Sequence, residues 1–233
     1  NDATFDTRPQ MGEGVRPMSI TRHIMTMFGI AAVFVAIACN AQAAKITSNA
    51  DTVFYTGKVQ EGDADRLEAV LKTTHVRRVS MSSSGGVAME GFKLGYLFSA
   101  YEVEAVVASD QHCLSACAVA ILGAPQKDIQ GLLGFHVAWT KSKGTMSEGM
   151  RQGQSLATLD TIYNFNSGYK VHLQYLIANY TAFDTFLILS QEDLARFEFK
   201  DTKDYIQSAG ITTEWLEKRI AGPNRMRLKM QSL

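Results

Sequence analysis

The amino-acid sequence predicts an α/β fold with a mostly parallel sheet. Residues 76–81 and the β-branched segment 103–108 are predicted to form strands. Each of these segments is followed by a turn and then by residues with helical spacing of apolar side chains. Successive strand, turn and helix units favour parallel strands joined by right-handed crossovers. At 233 residues and 46% hydrophobic composition, the chain is long enough for one ordinary domain and a leader.

The remaining elements follow from apolar spacing and turn residues. Strands are predicted at residues 51–59, 76–81, 103–108, 132–137 and 186–189, and helices at 64–73, 87–101, 114–122, within 146–180 and from 190. Residues 109–113 are predicted to form a turn, and the long stretch 146–180 is interrupted near 164–168. No repeat or linker separates a second domain, so residues 45–233 are predicted to form a single one.

The charge balance restricts the classes of partner. Lys plus Arg and Asp plus Glu number 23 each, so the formal net charge is zero. Global charge therefore gives no long-range attraction to nucleic acid or to an anionic membrane surface. Partners have to be inferred from individual sites.

A targeting segment is predicted near the start of the chain. Met18 opens a short basic stretch, an apolar run at residues 24–38 and a small-residue exit at 40–44, which is the order of a secretory signal peptide. Residues 18–44 are therefore predicted to be a signal peptide, and residues 1–17 upstream or added sequence. The mature protein is expected in the periplasm or secreted.

Two alternatives to a cleaved leader remain open. A transmembrane anchor is one, although about 15 apolar residues fall short of the roughly 20 that cross a bilayer. Lipoprotein processing at Cys39 is the other, although Ala36 replaces the usual leucine of a lipobox. Cleavage near Ala43 or Ala44 leaves no stable membrane span.

Removal of the leader leaves two cysteines, Cys113 and Cys117. In an oxidising compartment an even number of cysteines is compatible with a disulfide. A spacing of four residues is tight for such a bond. Metal binding is the weaker alternative, because His112 alone supplies no second ligand pair of zinc type.

The candidate chemistry lies at the start of the predicted helix 114–122. Helix starts offer unpaired backbone N–H groups, which stabilise a developing oxyanion. Ser115 lies there among small neighbours, and His136 ends an apolar strand twenty-one residues later. A helix cap for Ser115 and a structural role for His136 are the ordinary alternatives.

Three segments together resemble one family. Residues 79–91, which include the run Ser82-Ser-Ser-Gly-Gly86, resemble the strand and Ser-Pro-Gly-Gly turn of ClpP-like serine peptidases. Residues 113–118 resemble the nucleophile segment of predicted periplasmic ClpP-like proteins, and residues 133–136 their histidine segment. The resemblance spans about residues 53–200, and Ser84 replaces the usual proline of the turn.

The resemblance implies a ClpP/crotonase-like superhelix of β-β-α units and a serine hydrolase, most simply an endopeptidase. It makes Ser115 the nucleophile, His136 the general base, and the N–H groups of Gly86 and Ala116 the oxyanion hole. It also implies a peptide or protein substrate, a homo-oligomer, and no metal or organic cofactor.

The third catalytic residue is left open between three possibilities. The resemblance favours Asp184 as the residue that orients the histidine. Asp193 competes for that role, but it lies three residues after Ser190 and is more simply a capping-box carboxylate. A Ser-His dyad is the third possibility.

Two different functions remain as alternatives. One is a catalytically inactive periplasmic binding or assembly protein with the same fold. The other is a crotonase-type enzyme acting on an acyl-thioester, which uses a similar oxyanion hole. The pairing of Ser115 with His136 and the predicted export both speak against the thioester alternative.

Overall fold

The computed structural model describes residues 43–139 and 144–232. Residues 1–17, nearly all of the predicted signal peptide, and Cys39 lie outside the described residues. Within the described part of the chain, no helix combines the length and hydropathy needed to cross a bilayer.

A five-stranded sheet forms the larger layer. Its strands in spatial order are β1 (Lys45–Ser48), β2 (Thr52–Thr56), β3 (Arg78–Ser82), β4 (Glu104–Val107) and β6 (Gln126–Ile129). β1 pairs antiparallel with β2, and the other three pairings are parallel. Val53, Tyr55, Val79, Met81, Ala105 and Val107 are fully buried on the core side of the central strands.

A four-stranded sheet carries the site described below. Its strands in spatial order are β5 (His112–Leu114), β7 (Leu132–Phe135), β8 (Phe186–Leu189) and β9 (Ile220–Ala221). β5 pairs parallel with β7, while β8 pairs antiparallel with both β7 and β9. A parallel bridge between Ser83 and Cys113 connects the end of β3 to this second sheet.

Eight α-helices and one short 3₁₀ helix accompany the strands in the described residues. They are α1 (Asp63–Thr73), α2 (Ala88–Ala100), α3 (Ala116–Leu122), α4 (Met146–Asn166), α5 (Val171–Tyr180), α6 (Gln191–Ala195), the 3₁₀ helix Thr202–Asp204, α7 (Thr213–Arg219) and α8 (Pro223–Gln231).

The order of elements gives repeated β-β-α units. β4, β5 and α3 form one unit, and β6, β7 and α4 form the next; in both, the first strand joins the five-stranded sheet and the second joins the four-stranded sheet. β3, the Ser83 bridge and α2 make a shorter version of the same unit. The predicted α/β fold with β-β-α units and a mostly parallel sheet is therefore confirmed.

Two local predictions differ from the structure. Residues 112–114 form β5 instead of a turn, because their main chain pairs with residues 132–134 of β7. As a consequence the following helix begins at Ala116 instead of residue 114. Ser115 lies between strand and helix, not inside the helix.

Candidate active site

Ser115 occupies a sharp turn between β5 and α3. Its backbone has φ 56° and ψ −124°, a conformation that residues with a side chain rarely adopt and that concentrates at functional sites. The Ser115 N–H donates to Gly134 O of β7 at 2.8 Å. The hydroxyl makes no capping hydrogen bond to α3, so the helix-cap interpretation of Ser115 does not describe this structure.

The Ser115 hydroxyl instead contacts His136. Ser115 Oγ lies 2.6 Å from His136 Nε2, which is within hydrogen-bond reach for a nucleophile and its base. His136 directly follows β7, the strand that pairs with β5. The pairing of these two strands therefore brings together side chains that lie twenty-one residues apart in the sequence.

The other ring nitrogen of His136 faces a main-chain carbonyl. His136 Nδ1 lies 3.3 Å from Ala182 O. With the Nδ1 proton donated to this carbonyl, Nε2 is left with a lone pair that accepts the Ser115 hydroxyl proton. Burial lowers the pKa of His136 below its ordinary value of 6.5, against the smaller opposing effect of the Ala182 and Phe183 backbone. The ring is thus held neutral near pH 7, the form that acts as a base.

Ala182 belongs to a tight turn that also contains Asp184. The N–H and C=O groups of Ala182 and Thr185 exchange two hydrogen bonds of 3.2 Å across this turn. The Asp184 carboxylate accepts a hydrogen bond from Thr185 Oγ1 at 3.4 Å. Among the hydrogen bonds of the described residues, the histidine is therefore oriented by the Ala182 carbonyl instead of the predicted Asp184 carboxylate.

Asp193 has a structural environment away from the histidine. It forms a capping box with Ser190 at the start of α6, as the sequence pattern predicts. Its two carboxylate oxygens also accept hydrogen bonds of 2.7 and 2.6 Å from Arg219 of α7, and one accepts from Trp215 Nε1. These contacts tie α6 to α7.

Gly85 and Gly86 bring the turn after β3 close to Ser115. Both have positive φ, 90° and 155°, which favours glycine. A Cβ at Gly85 would lie 2.6 Å from Ser115 Cβ, and one at Gly86 would lie 2.0 Å from Val59 O. Glycine, which has no Cβ, therefore allows the backbone to approach Ser115 and Val59 this closely at the two positions.

The predicted oxyanion donors are the N–H groups of Gly86 and Ala116, two residues that line one cavity with Ser115. Val59 N donates to Gly85 O and Val87 N donates to Val59 O, so the intervening Gly86 N–H points away from Val59 in this extended segment. Ala116 begins α3, and the first hydrogen bond within that turn is from Val119 N to Ser115 O. The Ala116 N–H is therefore one of the unpaired donors of a helix start.

One cavity contains these groups. Its volume is about 660 Å³, within the range typical of small-ligand sites. Ser115, His136, Gly86 and Ala116 lie in its wall, together with apolar side chains of α2, α3 and α4: Met89, Phe92, Val119, Leu156 and Leu159. Among the described residues, the charged side chains that line it are Arg151 and Asp160, both on α4.

A disulfide bond joins Cys113 and Cys117, with Cα atoms 5.2 Å apart. Cys113 is the middle residue of β5 and Cys117 is the second residue of α3. Both residues are fully buried. The disulfide interpretation of these cysteines thus agrees with the structure, and the bond spans Ser115.

Two features beside His136 were not predicted from the sequence. The Ala182 carbonyl is a main-chain atom, so no residue type marks its role. Trp139 and Phe183 are both exposed and pack edge to face at 5.5 Å beside the histidine. Their aromatic character in flanking loops is the one feature that sequence analysis could have used.

Chemically, this arrangement places a hydroxyl and an imidazole within hydrogen-bond reach, in a cavity that Gly86 and Ala116 also line. These are the groups that nucleophilic acyl transfer requires.

Comparison with known proteins gives similarity at the level of structure only. No protein-family model matches the sequence, and no curated protein matches it. A mutant of ClpP1 from Listeria monocytogenes is 12% identical, with a TM-score of 0.49 over 67% of this chain and 95% of that one. A mutant of the membrane-bound stomatin-specific protease 1510-N is 9% identical, with a TM-score of 0.43 over 68% and 84%.

A third solved structure, PA4980 from Pseudomonas aeruginosa, is 9% identical, with a TM-score of 0.40 over 66% of this chain and 74% of that one. At such identities and TM-scores, these comparisons carry no argument about the activity of this chain. The fold assignment depends on the strand pairings given above.

Proposed function

We propose that this protein is an exported serine hydrolase, a peptidase with Ser115 as nucleophile and His136 as general base. The observation that carries the proposal is the 2.6 Å separation of Ser115 Oγ and His136 Nε2 inside the cavity. The lowered pKa of His136 supports it, because the base has to be neutral to accept a proton.

In the proposed reaction, Ser115 Oγ attacks the carbonyl carbon of a peptide bond and its proton moves to His136 Nε2. The N–H groups of Gly86 and Ala116 donate to the oxygen that becomes negative. Collapse breaks the C–N bond, and His136 protonates the leaving amine. Water then attacks the acyl-enzyme, with His136 accepting its proton and returning one to Ser115.

The Ala182 carbonyl takes the orienting role in this mechanism. It accepts a hydrogen bond from His136 Nδ1–H and so fixes the ring rotation and the tautomer. A carbonyl dipole stabilises the imidazolium less than a carboxylate does. The proposal is therefore a Ser-His dyad with a main-chain acceptor.

Covalent labelling with a fluorophosphonate tests the proposal directly. We expect one equivalent of probe on the wild-type protein, attached to the tryptic peptide that contains Ser115. Ser115→Ala should abolish labelling with little change in the thermal midpoint, because the hydroxyl caps no helix. Ser167→Ala, at the end of α4, is the matched control and should label at the wild-type rate.

The same experiment separates the alternative of an inactive binding or assembly protein. Such a protein would not react with the probe, although it would retain the fold. Labelling that survives Ser115→Ala would place the nucleophile elsewhere and contradict the proposal.

Export is part of the proposal and has its own test. The apolar segment and the Ala-x-Ala exit at residues 41–43 support cleavage, and the disulfide fits an oxidising compartment. Intact mass of protein from the native host should give Ala44 or Lys45 as the first residue. A lipid-modified Cys39 would establish the lipoprotein alternative.

A further inference from the structure

We propose that the Cys113–Cys117 disulfide is a positioning device for Ser115, holding the nucleophile in its strained turn and against His136. The inference rests on the proposed function for its catalytic meaning. The placement of the bond is a separate observation, because its two cysteines lie two residues before and two residues after Ser115. The bond therefore closes a loop around the nucleophile.

The turn at Ser115 needs support from both sides. A positive φ at a residue with a side chain is unfavourable and persists only when the surrounding structure fixes it. On the β5 side the support is pairing with β7, including the hydrogen bond from Ser115 N to Gly134 O. On the α3 side a Cβ added at Gly91 of α2 would lie 2.4 Å from Ala116 O, so the start of α3 packs tightly against α2.

The disulfide connects these two supports directly. Cys113 lies within the β5–β7 pairing and Cys117 lies in the first turn of α3. Any relaxation of Ser115 toward an ordinary backbone conformation rotates α3 relative to β5. The cross-link opposes that rotation at the point where it would begin.

The small size of the loop indicates a local role for the bond. A disulfide stabilises a protein globally by restricting the unfolded chain, and this effect grows with loop length. Cysteines four residues apart restrict the unfolded chain less than cysteines that close a long loop. The bond is thus expected to act on the geometry of Ser115 more than on global stability.

The test compares three proteins by two measurements. They are the wild-type protein with the disulfide formed, the double variant Cys113→Ala/Cys117→Ala, and the control Ile121→Val. Ile121 is fully buried in α3. Its variant therefore loosens the packing of the helix but leaves the disulfide and the Ser115 turn intact. The measurements are the rate of fluorophosphonate labelling and the ¹⁵N NMR shift of His136 Nε2, which reports the hydrogen bond from Ser115.

We expect the double variant to label at least about tenfold more slowly and to shift the His136 Nε2 resonance. Ile121→Val should change neither, at a comparable loss in thermal midpoint. Labelling and resonance both unchanged in the double variant would overturn the inference. A wild-type protein that does not label would contradict the proposed function, while the resonance comparison would still decide the positioning role.

A second route avoids any dependence on the folding of the double variant. The wild-type chain is produced in a reducing cytoplasm without its leader, and its two free thiols are verified by alkylation under denaturing conditions. The reduced protein should show the same slower labelling and shifted resonance. Equal behaviour of the reduced and oxidised forms would overturn the inference.

Discussion

Gly85→Ala is expected to disable the site through a single added methyl group. Gly85 has φ 90°, and a Cβ at this position would lie 2.6 Å from both Ser115 Cβ and Leu114 O. Real Cβ contacts are essentially never shorter than 3.0 Å. The turn after β3 and the Ser115 turn therefore have to separate.

A matched control separates two contributions to the loss of stability, one from the left-handed backbone and one from the steric contact of the added Cβ. Gly62 has a similar φ of 86°, but a Cβ there meets nothing within 4 Å. Gly62→Ala should cost about 1 kcal/mol, the cost of a left-handed alanine. Gly85→Ala adds overpacking of about 1–3 kcal/mol to the same backbone term, so its total loss is about 2–4 kcal/mol.

The functional effect should be larger than the loss of stability suggests. A displacement of a reacting group by about 1 Å costs about 10²-fold in rate. We therefore expect fluorophosphonate labelling to fall about 10²-fold in Gly85→Ala and to stay near wild type in Gly62→Ala.

Urea unfolding gives the free energies, and labelling is measured at a concentration of urea where both variants are folded. The reasoning is refuted if Gly85→Ala labels as fast as Gly62→Ala. It is also refuted if the two variants lose the same free energy of unfolding, because the added contact would then be absorbed without displacement.

Three further predictions concern the acidic candidates and the base. Asp184→Asn should leave the labelling rate nearly unchanged, since the Ala182 carbonyl contacts the histidine. A loss of labelling rate approaching the roughly 10⁴-fold of a triad aspartate would restore the predicted triad. Asp193→Asn should lose about 2 kcal/mol of stability in urea unfolding, because it weakens a cap and a pair of charged hydrogen bonds, and a larger effect on labelling than on stability would contradict this. As the pH is lowered, the labelling rate should fall with a midpoint below pH 6.5, because the proposed active form of His136 is neutral and burial lowers its pKa. A midpoint above pH 6.5 would exclude a desolvated base.

Much of the fold can be predicted from the sequence because the spacing of apolar residues indicates the strands and helices. The strand at residues 186–189 and the break between α4 and α5 both agree with the predicted pattern. β5 was missed because three residues are too few to show alternation, and Ser109-Asp-Gln111 before them has turn composition. Its pairing with β7 is a tertiary interaction that residue spacing does not encode.

The candidate site was also predictable only in part. Ser115 and His136 were predictable because their residue types carry chemistry, and the structure brings them to hydrogen-bond distance. The positive φ of Ser115 was not predictable, because it arises where β5 ends against β7 and α3 begins against α2. The partner of His136 Nδ1 was not predictable either, since forty-six residues separate it from Ala182.

The use of a main-chain carbonyl beside His136 changes how this site tolerates mutation. A carboxylate in that role is removed by one base change, whereas nearly every amino acid at position 182 supplies the same oxygen. The vulnerable property is instead the shape of the turn that exchanges hydrogen bonds between Ala182 and Thr185. The changes expected to disturb the orientation of His136 are insertions, deletions, or a proline at position 185, which would remove an N–H that the turn uses.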